Sequence, residues 1–443
     1  MARKPALANS HNETIAHQTL ILDNGACTLK TGFASGDEPN PSNCHIIPNC
    51  IARSQRDKRT YIGAELYDCA DYGELAFRRP VEKGYVVNWE GEKAVWEKTF
   101  MGKTARVKCD AHETNLILTE APHAPAALQR NADEMVFEEF EFASYFRSAA
   151  PNLNAYAPSP FPGATALPCG MALETILLVD AGHTATTITP LYHGRPIQQA
   201  CRRLDIGGKT LSNQLKELIS RTFDVHREDW IVSEIKEDVC YVSSSFNSDM
   251  ERAWKGGLKD PREVDSTVVV DYVLPDYEEI KRGYTRPHET NVSIRNRALG
   301  MSNGRKEHVV TIGNERFAVP ELLFTPTDIG MQQEGLCGTI LQSLESVPKS
   351  LWHVFLANIV VVGGTSKLPG FVDRLEAELR SRVDETALVR VACAEDPIKN
   401  TWLGGARLAG NPDVLRELVV TRAEYLEHGD LWTRRKFAGK TTR

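Results

Sequence analysis

No apolar run in this chain approaches the ~20 residues needed to cross a bilayer, so no membrane span is expected. The stretch from Met1 to Gln18 lacks the apolar segment of a secretory leader, and none is expected. Neither sign of charge dominates. Lys and Arg number 52 against 59 Asp and Glu, a formal net charge of −7, which argues against a generic binder of nucleic acid or anionic membrane. Cysteine pairs spaced C-x-x-C are missing too. The ten cysteines are scattered, with Cys240 inside what reads as an apolar strand and Cys169 near one. That pattern suits reduced intracellular thiols better than disulfides or zinc ligands, and it leaves the sequons at Asn12 and Asn291 silent.

What is present is ordinary globular material. Hydrophobic residues make up 42% and charged residues 25% of 443, so a mostly disordered or fibrous chain is excluded. At roughly 150 residues per domain, two or three domains are expected. Residues 1–17 are polar and aperiodic and read as a disordered tail. Structure is expected to begin at Thr19-Leu20-Ile21-Leu22, which runs into Asp23-Asn24-Gly25 and then Ala26-Cys27-Thr28-Leu29-Lys30. Asn and Gly tolerate positive φ, so D-N-G between two apolar runs predicts a hairpin. The pattern recurs at Ile176 to Val179, Asp180-Ala181-Gly182-His183 and Thr184 to Ile188, with Asp180 standing 157 positions after Asp23. A strand–Asp–turn–strand unit repeated one domain-length later predicts two related lobes.

Helical spacing is read over Ala94 to Phe100 and Glu134 to Phe146, and a buried strand over Asn115 to Thr119. Gly207-Gly208-Lys209-Thr210 opens a helix through Ser220. Asn358 to Val362 reads as a strand ending in Gly363-Gly364-Thr365, and Pro369-Gly370 precedes a helix from Phe371 to Leu379. Two stretches read as insertions: Asn152–Gly170, rich in Pro, Ala and Gly, and Asp276–Glu307, with seven basic and five acidic residues and no core periodicity. Both are expected to meet partner proteins rather than a core. The basic tail Arg434 to Arg443 reads as solvated, and is a better candidate for nucleic-acid contact than the second insertion.

Three glycine-bearing turns follow apolar strands, and such turns expose successive N–H groups that can cradle phosphate. A carboxylate at the strand end can orient the waters of Mg²⁺, and Lys30 can neutralise a phosphate. Taken singly, each turn has a purely steric explanation. Their order is more telling. Strand–D-N-G, strand–D-x-G, a Lys236-Glu237 pair and G-G-T together resemble the actin superfamily. Val87-Asn88-Trp89, Leu118 to Pro122, Ile235 to Val242, Ile312 to Phe317, Val361 to Gly370, Trp402 to Gly405 and Val420 to Tyr425 narrow the resemblance to actin and actin-related proteins. It runs from about Thr19 to His428. Ile47 to Cys50, Lys83 to Trp89, Val268 to Asp276, Asn314 to Leu323 and Pro326 to Met331 resemble the sixth class of actin-related proteins.

The resemblance implies an α/β actin-like fold: two related lobes, each a mixed five-stranded sheet flanked by helices, divided into four subdomains. Its implied boundaries are 18–48, 80–170 and 399–443 for the first, 49–79 for the second, 171–206 and 332–398 for the third, and 207–331 for the fourth. Carried over residue by residue, the nucleotide site is Asp23, Asn24, Gly25, Lys30, Asp180, Gly182, Lys236, Glu237, Gly363, Gly364 and Thr365, with Asp23 and Asp180 holding a metal through waters. ATP or ADP with Mg²⁺ is the implied ligand. Three departures bear on chemistry: Ala26 and Cys27 stand where actin has Ser and Gly, His183 replaces an acidic residue, and Ala150 (or Pro151) replaces the water-orienting Gln. Phosphoryl transfer to water depends on such positioning, so no hydrolysis is expected and no enzyme activity with it. The segment from Ile51 to Tyr61 is shorter than actin's filament loop and charged, and reads as a solvated hairpin.

The resemblance further implies a nuclear protein, with the cytoplasm as a second compartment. It implies a non-filamentous scaffold in a Swr-type remodelling complex that exchanges histone H2A for H2A.Z. The implied partners are a zinc-HIT-finger subunit, a Snf-type ATPase, and nucleosomes or histones through the complex, with direct DNA contact left open. The alternative is an actin-like ATPase that forms filaments. A sugar-kinase reading would need a catalytic carboxylate base after the first hairpin, and the actin matches along the chain argue against it.

Overall fold

The computed structural model describes residues 18–36, 39–73, 75–102, 105–223, 229–254, 256–257, 260–261, 264–277, 279–288, 301–302, 305–306 and 308–438. The tail 1–17, residues 289–300 of the second insertion and the end of the basic tail, 439–443, lie outside them. No helix among the described residues is long and apolar enough to cross a membrane. All ten cysteines are free. Cys240 does not sit in a strand. It follows the helix Asp229–Val239 and packs in the core as a small hydrophobe.

Both expected hairpins form. Gln18–Asn24 pairs antiparallel with Thr28–Phe33, placing Asp23 opposite Lys30, and Thr175–Ala181 pairs antiparallel with Thr186–Tyr192, placing Asp180 opposite Thr187. Each hairpin then gains two parallel strands. In the first lobe Thr114–Glu120 lies beside Gln18–Asn24, and Ser144–Ala149 beside that. In the second, Ile359–Val362 lies beside Thr175–Ala181, with Val391–Cys393 next. These central strands are buried on both faces and read as unbroken apolar runs such as IVVV. Each sheet has six strands rather than the expected five, because a short edge segment is added: Val420–Thr421 in the first lobe and Arg202–Leu204 or Arg195–Pro196 in the second. The repeat is therefore a repeat of topology.

A smaller sheet rides on each lobe. Thr60–Ile62, Ile51–Ser54 and Leu75–Arg78 form one, and Tyr284–Pro287, Val270–Val273 and Val309–Ile312 the other. The second lobe and its small sheet are built from one continuous stretch, roughly 175–393. The first lobe is closed by the chain's return: Gly405 of the helix Asn400–Ala409 lies against Ile21, and Tyr425 stacks on Phe137.

Several sequence expectations need correction. The helical spacing over Glu134 to Phe146 ends early, in a single π turn at Met135–Glu139, and Ser144–Phe146 belongs to a strand. The insertion Asn152–Gly170 is anchored rather than superficial. Leu153, Asn154, Ala155 and Ala157 are buried, and Asn154 donates to Thr401 Oγ1 at 3.0 Å and accepts from Asn400 Nδ2 at 2.7 Å. The insertion Asp276–Glu307 contains the edge strand Tyr284–Pro287, in register with Val270–Val273. An added Cβ on Gly283 would lie 2.4 Å from the Tyr272 ring, so glycine is required there for packing. The basic tail continues the helix Arg422–Phe437, where Phe437 meets Tyr145 and Phe146 edge-on and Arg147 lies over its ring.

Candidate functional site

The first turn is fixed by its own strand register and by one threonine. Register sets Lys30 across from Asp23, with Nζ 3.4 Å from the carboxylate. Thr119, at the end of the adjacent parallel strand, donates to Asp23 Oδ1 at 2.8 Å and accepts from the Asn24 N–H at 2.8 Å. The Asn24 side chain accepts from Trp96 Nε1 at 3.2 Å, and Asn49 donates to the Gly25 carbonyl at 3.0 Å. Below the turn, Glu92 is fully buried and accepts from Trp96 and Asn49. Burial drives its carboxyl up to about 7, against the pull of those donors and of Asn24.

The second and third turns are bound to each other. Thr365 Oγ1 donates to the Gly182 carbonyl at 3.0 Å. Gly363 takes φ +91°, and an added Cβ there would lie 2.3 Å from the Ala181 carbonyl oxygen, so only glycine fits. Gly364 faces open space. The first N–H groups of the helix Gly208–Ile219 are bound to the second turn as well, Gly208 to the Gly182 carbonyl at 3.0 Å and Lys209 to the His183 carbonyl at 2.7 Å. Lys236 is buried beside them, donating to the Gly208 carbonyl at 3.2 Å and Ser212 Oγ at 3.0 Å. Burial holds its ammonium below the ordinary lysine range, partly countered by Glu237. Glu237 itself points to solvent at the surface of the same helix.

Electrostatics join the two lobes at the floor of the cleft. Burial, and then the charge of Asp23, push Asp180 up to about 6, with Lys30 opposing. Burial alone would lower Lys30, but Asp23 and Asp180 together raise it. Two facing carboxylates that share a single ammonium fit a hydrated divalent cation, which would relieve their repulsion. Asp23 and Asp180 are the residues that would hold Mg²⁺ through its waters. The third position is His183, driven down to about 3 by burial and then by Arg79, Lys236, Lys209 and Lys30, and so neutral. Its Nε2 is buried without a hydrogen-bond partner among the described residues. Ala150 opens the short helix after Ser144–Ala149 and offers only a methyl, and Pro151 is buried.

The structure thus brings together Asp23, Lys30 and Asp180, with Gly182 and Gly363 against Asp180 and Thr365 and Lys236 beside them. Sequence reasoning passed over three participants. Thr119 stood within the Leu118 to Pro122 motif without a stated role. Glu92 lies one helical turn before Trp96, a spacing that an amphipathic reading registers only as core. Arg79, whose Nη1 approaches the Cys27 carbonyl at 3.4 Å, carries no local signal at all.

Against known proteins, the family model described as Actin matches residues 15–438. The chain is 45% identical to the actin-like protein arp6 of Emericella nidulans, covering 97% of each chain. It is 48% identical to actin-related protein 6 of Neurospora crassa over 95% of this chain and 94% of that one. Identity to actin-related protein 6 of Drosophila melanogaster is 34%, over 94% and 98% respectively. With the paired hairpins, the three turns and these matches in hand, the chain belongs to the actin family and, within it, to the actin-related protein 6 family.

Proposed function

We propose that this protein is a non-filamentous scaffold subunit of an ATP-dependent chromatin remodelling complex that exchanges H2A for H2A.Z in nuclear chromatin, and that it does not itself hydrolyse ATP. One observation carries the reading. Asp23, Asn24, Gly25, Lys30, Asp180, Gly182 and Gly363-Gly364-Thr365 are kept, while Ala26 and Cys27 alter the first turn and the positions that would handle the attacking water and the metal's third carboxylate hold Ala150, Pro151 and His183. Positioning and charge stabilisation are nearly all that a protein supplies to phosphoryl transfer, so a nucleotide here is a structural ligand. Asp23, Lys30, Asp180 and the Gly363-Gly364-Thr365 turn would hold its phosphates, Lys236 would lie on the side of its base, and Mg²⁺ would add charge neutralisation. The zinc-HIT-finger and Snf-type ATPase subunits are the proposed partners, with nucleosomes reached through the complex.

Supporting the non-filamentous part, the hairpin tip Gln55 to Arg59 is exposed and charged, poor material for docking in another subunit's apolar cleft. The test has two arms. Purified protein is assayed for phosphate release with Mg-ATP, and tagged protein is recovered from nuclear extract with bound subunits identified by mass spectrometry. The reading expects no turnover above background and recovery of both partner subunits. Turnover abolished by Asp180→Ala, or recovery of neither partner, would overturn it.

A further inference from the structure

The two lobes are bridged by aromatic side chains. Trp230, in the first turn of the helix Asp229–Val239, belongs to the second lobe. Its ring lies 4.9 Å from that of Tyr72, tilted by only 18°, and 6.2 Å from that of Phe77, at 11°. Phe77 belongs to the small sheet of the first lobe, and Tyr72 lies in the loop that leads into its strand Leu75–Arg78. Tyr277, from the second lobe, approaches Tyr72 at 6.1 Å.

These contacts are continuous with a core. Trp230 packs on the buried cluster Cys50, Ala52, Tyr61, Leu66, Cys69 and Leu75, so a residue of one lobe completes the interior of the other. Both polar tips are engaged inward: Trp230 Nε1 donates to Glu234 at 3.0 Å and Tyr72 Oη to the Leu66 carbonyl at 2.9 Å. The rings are therefore oriented before they meet, and near-parallel rings with centroids 4.9 Å apart are offset-stacked, one of the two arrangements aromatic pairs favour. The helix that presents Trp230 also carries Lys236, so any parting of the stack moves the base side of the cleft relative to the Asp23 turn.

We propose that Trp230, laid against Tyr72 and Phe77, is a clasp that keeps the two lobes closed whether or not the cleft holds a nucleotide. Contacts that close a cleft through a ligand's charge vanish when the ligand leaves. An apolar stack persists and is insensitive to salt. The inference needs neither nucleotide nor partner, so its outcome is separate from that of the proposed function.

The test uses the full-length protein, stripped of nucleotide with EDTA and apyrase, and follows small-angle scattering and hydrogen exchange. The expected result is a radius of gyration that Mg-ATP does not change, and that rises in both Trp230→Ala and Tyr72→Ala. Amides of Ile51–Ser54 and the start of Asp229–Val239 should exchange about tenfold faster in either variant, the scale of losing one ordered aromatic contact. Trp230→Phe should restore most of the protection. Circular dichroism checks that each variant is folded, and the approach from both lobes guards against one failing to fold. A stripped wild-type protein that opens as far as the variants, or variants that leave scattering and exchange unchanged, would overturn the clasp.

Discussion

Lys30 serves two carboxylates at once, one opposite it in the hairpin and one across the cleft. Replacing it with Met leaves Asp23 and Asp180 facing each other with no cation between them. The expected loss is about 3–5 kcal/mol, the range for breaking a buried pair. It should be smaller at pH 5 than at pH 8, since Asp180, raised to about 6, is protonated at the lower pH and one of the two charges is gone. Thermal unfolding of Lys30→Met at both values checks this, and equal losses would contradict it. Glu92 makes a second case with the sign worked out. Its folded carboxyl lies at about 7 against an ordinary 4.5, so the folded state binds the proton more tightly. Stability therefore falls between those values as pH rises, and the penalty is constant above. Against Glu92→Gln, which bears no charge, the wild-type Tm should drop progressively from pH 5 to pH 8. A pH-independent difference between the two would refute the assignment.

At the scale of the element, the second insertion tests what belongs to the fold. Removing 276–307 takes away Tyr284–Pro287 and uncovers the buried Tyr272 and its strand, so the Tm should fall by several degrees. Removing only 289–300 spares that strand. The shorter deletion should keep the Tm and weaken recovery of the proposed partner subunits. If the longer deletion melts like wild type, the strand contributes nothing. The C-terminal helix makes a parallel case. Phe437→Ala strips the ring that Arg147 covers and should cost about 2 kcal/mol in urea unfolding, less than a fully buried Phe because this one is partly exposed.

These elements also mark where the sequence was legible. D-N-G and D-A-G between apolar runs announce hairpins, although neither Asn24, Gly25 nor Gly182 takes a positive φ; at Gly25 the Thr28 carbonyl, 2.6 Å from where a Cβ would lie, is what excludes a side chain. Tyr284–Pro287 is an edge strand, three of its four residues exposed, and one-sided burial of a charged strand leaves no period to read. The end of Arg422–Phe437 hangs on one apolar side chain among Arg434, Arg435 and Lys436, which reads as a solvated tail. Of the candidate site, glycine is demanded locally only in the first turn, by the Thr28 carbonyl beside Gly25, whereas Gly363 answers to the Ala181 carbonyl of another strand and Gly364 faces open space. The roles of Thr119, Arg79 and Trp230 depend on partners 52 to 158 positions away and leave no local trace.

For the molecule as a whole, the charged hairpin tip and the aromatic clasp both favour a closed, self-contained particle. With Mg-ATP at concentrations where actin-like chains assemble, the protein should stay in the supernatant after high-speed sedimentation. A pelletable polymer would restore the filament reading. The way the chain returns to its starting lobe has a consequence for synthesis. Everything the second lobe needs emerges in one continuous pass, whereas the first lobe waits for Trp402, Val420 and Phe437, made after the second lobe, to seal against residues made before it. On the ribosome the later-encoded lobe should thus be finished first, while the earlier-encoded one stands open. A nascent chain halted near residue 400 would carry a protease-resistant second half and a first half that is still cut, and the exposed Ile21 and Phe146 faces of that half are where a chaperone would find work.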